Sequence, residues 1–308
     1  VLSHDHHAHG HSHGHAPADY GRAFAIGIGL NLAYVAAEAG YGLAAGSLAL
    51  LADAGHNLGD VLGLALAWGA AMLGRRGPSD RFTYGFRSSS ILAALANALI
   101  LLVVTGGIAW EAIWRLGHPV AVTGGVVAWV AGVGIIVNGF TALLFARGRE
   151  SDLNLRGAFL HMAADAVVTA GVVVAGVAIA LTGWLWLDPA ISLVVSAVIV
   201  YGTWDLVRQA LRLALDAVPQ GVDASAVRTH LLALPGVTAL HDLHIWGMST
   251  TETALTCHLV MPLGHPGDEA LSAIARDLEA HFHIHHTTLQ IELADSEEIC
   301  ALTPEHVV

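Results

Sequence analysis

Apolar residues run along this chain in six stretches, each near the ~20 residues that a helix needs to cross a bilayer. They cover roughly 23–46, 48–73, 91–114, 120–145, 158–186 and 189–211. Short polar segments separate them, and the pattern predicts six transmembrane helices. From Pro219 onward the pattern changes. Residues 222–234 have the spacing of an amphipathic helix. Residues 237–246 and 254–262 are rich in Val, Leu, Ile and Thr, and read as strands. Residues 268–281 show helical spacing at Leu271, Ile274 and Leu278, and 287–293 reads as a third strand. The order α-β-β-α-β predicts a three-stranded sheet with helices on one face, as in ferredoxin-like α+β domains. The expected architecture is an α-helical membrane protein of six spans with a C-terminal cytoplasmic α+β domain. Its expected division is a His-rich tail at 1–19, the spans at 20–215, a cytoplasmic metal-binding domain at 216–300 and a tail at 301–308. The small domain has room for one modest core, so an oligomer is expected to support it.

Composition agrees with a membrane protein. The 308 residues are 55% hydrophobic and 12% charged, with a mean hydropathy of +0.62. No stretch has the short h-region and A-x-A exit of a cleaved signal peptide, so the first is expected to persist. The formal charge of −12 hides an uneven distribution. All 13 basic residues are arginine. Arg22 precedes the first stretch; Arg75, Arg76, Arg81 and Arg87 lie between the second and third; Arg147, Arg149 and Arg156 lie between the fourth and fifth; Arg208 and Arg212 end the sixth. Arg115 alone falls in a loop on the other side. The positive-inside rule then predicts cytoplasmic termini. After Leu215 only Arg228 and Arg276 remain, which excludes a basic nucleic-acid footprint. The two cysteines, Cys257 and Cys300, both follow the last stretch and are expected to be reduced thiols.

The N-terminal 19 residues hold His4, His6, His7, His9, His11, His13 and His15 among Gly, Ala and Ser. With no apolar periodicity, the segment is expected to be disordered and to gather metal loosely, or to be a dispensable tail.

Chemistry concentrates within the apolar stretches. His56-Asn-Leu-Gly-Asp60 lies in the second and His161-Met-Ala-Ala-Asp165 in the fifth. A spacing of i, i+4 puts each pair on one helix face. Ionisable side chains in a span are costly and mark an ion or proton path. Two imidazoles and two carboxylates form a four-ligand set suited to tetrahedral Zn2+. The bland alternative, two coincidental buried ion pairs with identical spacing, is the weaker reading. Asn31, Asn97 and Asn138 read as helix–helix hydrogen-bonding groups. Glu38 and Asp53 could support the site, line a vestibule or sit near an interface.

These residues also carry a resemblance. Leu48-Ala-Leu-Leu-Ala-Asp-Ala-Gly-His-Asn-Leu-Gly-Asp60 resembles the second span of the cation diffusion facilitator family of zinc transporters, and His161–Asp165 resembles its fifth-span half-site. Arg81-Phe-Thr-Tyr-Gly85 with Ile91-Leu-Ala-Ala-Leu95 is similar to the turn into its third span. His241-Asp-Leu-His-Ile-Trp246 and Thr288-Leu-Gln-Ile-Glu292 are similar to two strands of its C-terminal domain. The resemblance covers nearly everything after Arg22. It implies a homodimer in the bacterial inner membrane that exports Zn2+ from the cytoplasm in exchange for H+, with broader export of Cd2+ or Co2+ open. The histidine in the second span resembles the zinc-preferring members. One departure is Ser88, where the family places a basic residue; Arg87 is one position earlier, and Asp216 is the acid such a group would meet. The resemblance also implies cytoplasmic regulatory zinc sites at His241, His258, His285 and Glu292, with His244, Cys257, His281, His283, His286 and Cys300 nearby. Strand alternation puts His241 and Asp242 on opposite faces, and likewise Cys257 and His258, so these groups are not expected all to converge.

Metal binding needs deprotonated ligands, and an imidazole pKa near ~6.5 makes protons and metal compete for the site. Between two alternating openings, that competition yields antiport. An intramembrane zinc protease would show H-E-x-x-H, which is absent from the sequence. A channel or a zinc sensor without exchange is the remaining rival.

Overall fold

A computed structural model describes residues 20–146 and 153–293. The His-rich tail, the C-terminal tail, Cys300, Arg147 and Arg149 lie outside the described residues, as do some side chains within the helices, that of His161 among them.

Six long helices come first: α1 Tyr20–Ala45, α2 Leu48–Gly74, α3 Ser89–Gly117, α4 Gly124–Ala146, α5 Leu153–Thr182 and α6 Leu187–Ala214. Each expected stretch has its helix, with ends shifted by a few residues. Among the described residues, α3 and α6 throughout, and α4 and α5 over Gly124–Thr141 and Asp165–Thr182, are long and apolar enough to cross a membrane. The small domain follows as α7 Ala224–Leu232, β1 Ala239–Gly247, β2 Thr253–Val260, α8 Asp268–Phe282 and β3 Ile284–Glu292. The expected order α-β-β-α-β is present, with β3 beginning three residues earlier than its apolar pattern suggested.

The chain forms two compact units. One runs to Leu58 and from Ile108 to Val195; the other comprises Gly59–Gly107 and everything from Ser196 on. In the first, α4 and α5 pack backbone to backbone. A Cβ on Gly176 would lie 2.6 Å from the Ala128 nitrogen, and one on Gly124 would lie 2.6 Å from the Gly176 oxygen. Small residues permit this approach, which dispersion forces and interhelical packing stabilise where lipid offers no hydrophobic drive. The turn from α1 to α2 is made by Gly46, in the left-handed region at φ 67°. Two side chains hold that turn. Arg115 Nη1 donates to the Gly46 carbonyl at 2.6 Å while its Nε donates to Glu111 at 2.9 Å. Asp188, fully buried at the start of α6, accepts from the Ser47 hydroxyl at 2.5 Å and from the Leu48 and Ala49 amides at 2.7 and 3.3 Å. A carboxylate from another helix thus caps the positive end of α2.

In the second unit the sheet has the order β1-β2-β3, β1 antiparallel and β2 parallel to β3. The α8 crossover makes the parallel pairing possible. Asp223 caps α7 by accepting from the Ser225 and Ala226 amides. Val227 and Leu231 of α7 and Leu278 of α8 are buried with Leu255, Cys257 and Leu259 of β2. Alternation along β2 therefore leaves Thr256, His258 and Val260 on the face away from that core.

Candidate metal centre

His56 stands in the middle of α2. Its Nε2 lies 3.2 Å from Oδ1 of Asp165 on α5, an acid that is buried in the first unit. Asp60 follows His56 by one turn along α2, on the same face of the helix. His161 lies one turn before Asp165 along α5.

Support for this group comes from residues whose roles a sequence leaves open. The Thr169 hydroxyl, one turn after Asp165, lies 2.9 Å from both the Asp165 carbonyl and Oδ2 of Asp53. On α1 the Tyr34 hydroxyl donates to Glu38 at 2.6 Å, and its ring packs where Gly134 of α4 has no side chain. Asn97 lies against Gly63, and Asn138 is fully buried. Nothing in the sequence singles out Thr169 or Tyr34: a lone hydroxyl in a span looks like any helix–helix contact.

The small domain assembles a second group. His241 and His258 are register partners on β1 and β2, with ring centroids 5.1 Å apart. Oε1 of Glu292 lies 2.9 Å from Nδ1 of His258 and 3.3 Å from Nε2 of His241. Glu292 pairs with Val260 in the parallel ladder, two positions beyond His258 and on the same face, so the diagonal is within reach of a long side chain. Asp242 joins them, with Oδ2 3.5 Å from Nε2 of His258 and Oδ1 2.8 Å from Nε2 of His244. Strict alternation placed Asp242 on the opposite face. A β-bulge between His241 and His244, with Asp242 at φ 52°, re-aims it.

His285 does not join this group. It sits at the other end of β3, where its Nδ1 accepts from the Thr253 amide at 3.3 Å, on the wall of a cavity of about 300 Å³ also lined by Arg212, Thr251 and His283. Cys257 points into the apolar core. Burial, with the Asp242 carboxylate as a lesser cause, pushes its thiol up to about 12. His230 and His281 both pair with Asp277 on the helices. Arg87 pairs with Glu252 of its own chain at 2.6 Å. Ser88 donates to the Met248 carbonyl at 3.3 Å, and the Ser90 hydroxyl accepts from the Thr250 amide at 3.1 Å.

Residues 24–213 match the family model of the cation efflux transmembrane domain, and residues 219–294 match that of the cation efflux protein cytoplasmic domain. The chain belongs to the cation efflux family. It is 36% identical over 266 residues to the metal cation efflux system protein CzcD of Cupriavidus metallidurans, covering 86% of this chain and 84% of that protein. It is 35% identical over 253 residues to the zinc transporter ZitB of Escherichia coli K12, covering 82% and 80%. A Bacillus subtilis protein named a cadmium, cobalt and zinc/H(+)-K(+) antiporter is 32% identical over 266 residues, covering 84% and 85%. Membership in this family makes the chain an integral membrane transporter of metal cations.

Proposed function

We propose that the chain exports Zn2+ from the cytoplasm in exchange for H+, with His56, Asp60, His161 and Asp165 as one tetrahedral transport site. The 3.2 Å approach of His56 to Asp165 carries this reading, because it brings the two His-x-x-x-Asp pairs together. Two carboxylates offset the charge of the dication, and two imidazoles supply borderline nitrogen donors suited to zinc. Facing the cytoplasm, the deprotonated ligands take up Zn2+. Facing outward, protons compete for the same lone pairs and release it. The names of the ZitB and Bacillus subtilis relatives support both the metal and the exchange. Cd2+ and Co2+ are secondary cargo, since no thiolate is present to favour softer ions. The working form is a homodimer in the bacterial inner membrane with both termini cytoplasmic. His241, His258 and Glu292 hold a regulatory Zn2+, for which their nitrogen and oxygen atoms within 4.8 Å of one another form a fitting donor set. His285 belongs to a separate cytoplasmic position.

Asp60→Ala and Asp165→Ala each leave a dication undercompensated in a low-dielectric site. Both abolish zinc uptake into proteoliposomes while the dimer survives in detergent. Near-normal uptake by either variant removes that residue from the site.

A further inference from the structure

Exchange needs a place for the proton as well as for the metal, and two of the buried acids of the first unit, Glu38 and Asp53, take no part in the proposed metal site. Glu38 of α1 and Asp53 of α2 are 0% and 1% exposed. Each is half satisfied: Tyr34 donates to Oε1 of Glu38, and the Thr169 hydroxyl lies at 2.9 Å from Oδ2 of Asp53. Their other oxygens, Oε2 of Glu38 and Oδ1 of Asp53, have no hydrogen-bond donor among the described residues. The two carboxyl groups are near enough to act on each other electrostatically. Two ionised carboxylates in this position repel, and each bare buried oxygen loses its hydration without replacement. One proton on the pair removes a charge from the buried site and supplies a hydrogen-bond donor that two ionised carboxylates lack, as where paired acids share a site.

We propose that Glu38 and Asp53 together bind one proton and that this pair is a station for the counter-ion, distinct from the metal ligands. The proposal rests on the zinc–proton exchange above. The groups facing the pair are consistent with it. Tyr34 faces Glu38 from its own helix, and Asn57 lies beside it on α2. His56 on α2 and Asp165 on α5 act on Asp53 through space. From α4 the Val130 carbonyl lies 3.4 Å from the Tyr34 hydroxyl. From α6, Asp188 meets α2 more than a turn nearer its N-terminus, where it is engaged by Ser47, Leu48 and Ala49.

Coupling follows from placement. Asp53 is three residues before His56, under one helical turn, and Thr169 bridges Asp53 to the Asp165 backbone. A dication arriving at His56 and Asp165 attracts the second negative charge that the pair acquires on losing its proton, so metal entry and proton departure favour each other. The reverse step restores the proton as the metal leaves.

The test uses the full-length dimer in proteoliposomes, with Glu38→Gln and Asp53→Asn. Radioactive zinc counterflow, at equal zinc and pH on both sides, reads the metal path alone. Stimulation of net uptake by a pH gradient reads the coupling. Both variants are expected to keep counterflow and to show a clearly reduced stimulation, the remainder coming from protons that compete at the metal ligands. Full stimulation in Glu38→Gln overturns the proposal. Loss of counterflow in a folded dimer also overturns it, because the pair then belongs to the metal path. If the unmodified protein itself shows no stimulation, the exchange reading fails and the proton station fails with it; stimulation intact in parent and variants alike removes the station alone. Infrared spectroscopy of the unmodified dimer decides independently of how the variants fold. Zinc addition at neutral pH should remove the carbonyl band of a protonated carboxyl, and a protein without such a band has no shared proton.

Discussion

A single substitution at His56 tests how the proposed site chooses its metal. His56→Asp replaces a borderline nitrogen with a hard oxygen and adds a negative charge beside Asp60 and Asp165. Manganese or cadmium transport should rise relative to zinc in competition uptake assays; an unchanged ranking places selectivity in helix packing. Cys257 poses a different question at the same scale. Its thiol has an ordinary value of 9.0 and a folded value of about 12, with burial as the main cause. Between these values the unfolded chain ionises and the folded chain does not. Stability is therefore retained below about pH 9 and declines as pH rises toward 12. Cys257→Ala should flatten the alkaline side of the domain's denaturation profile, whereas an identical alkaline slope would mean that the thiol titrates freely in the fold. The metal-ligating residue types at i, i+4 were readable without coordinates, because helical periodicity alone puts them on one face. Thr169 and Tyr34 were not, because their roles depend on which helix each one meets.

At the scale of elements, the start of α2 is held by a residue far along the chain. Asp188 accepts from Ser47, Leu48 and Ala49 in a fully buried position. Asp188→Ala leaves three donors without an acceptor, at about 1–3 kcal/mol each. The expected result is a markedly lower melting temperature of the detergent-solubilised dimer and weaker zinc binding, since α2 carries His56. A melting temperature within a degree or so of the parent would show that water replaces the cap. The lengths of all six long helices and the α-β-β-α-β order were legible, because apolar run length and period are local properties. The bulge that turns Asp242 toward His258 was not. One extra residue in β1 shifts the register against β2, and a register belongs to two strands together.

For the whole molecule, the cytoplasmic and intramembrane metal groups should separate in their effects. If zinc at His241, His258 and Glu292 favours one membrane conformation, it acts only through its differential affinity for that state. His241→Ala combined with His258→Ala should weaken activation at low zinc while leaving maximal transport near the parent's, read from uptake against zinc concentration. A double variant as inactive as Asp60→Ala, with its dimer intact, would move these histidines into the main path. The sequence by itself determined the membrane class, the number of long helices, the order of the small domain and the two His-x-x-x-Asp pairs, all of which rest on spacing within a single helix or strand. Tertiary structure decided what spacing cannot express: that His56 meets Asp165, that Glu292 rather than His285 reaches His241 and His258, that Arg87 pairs with Glu252, and that Thr169 reaches Asp53. Each is a meeting of segments distant along the chain, and such meetings are set by packing and register, which exist only once the elements are assembled.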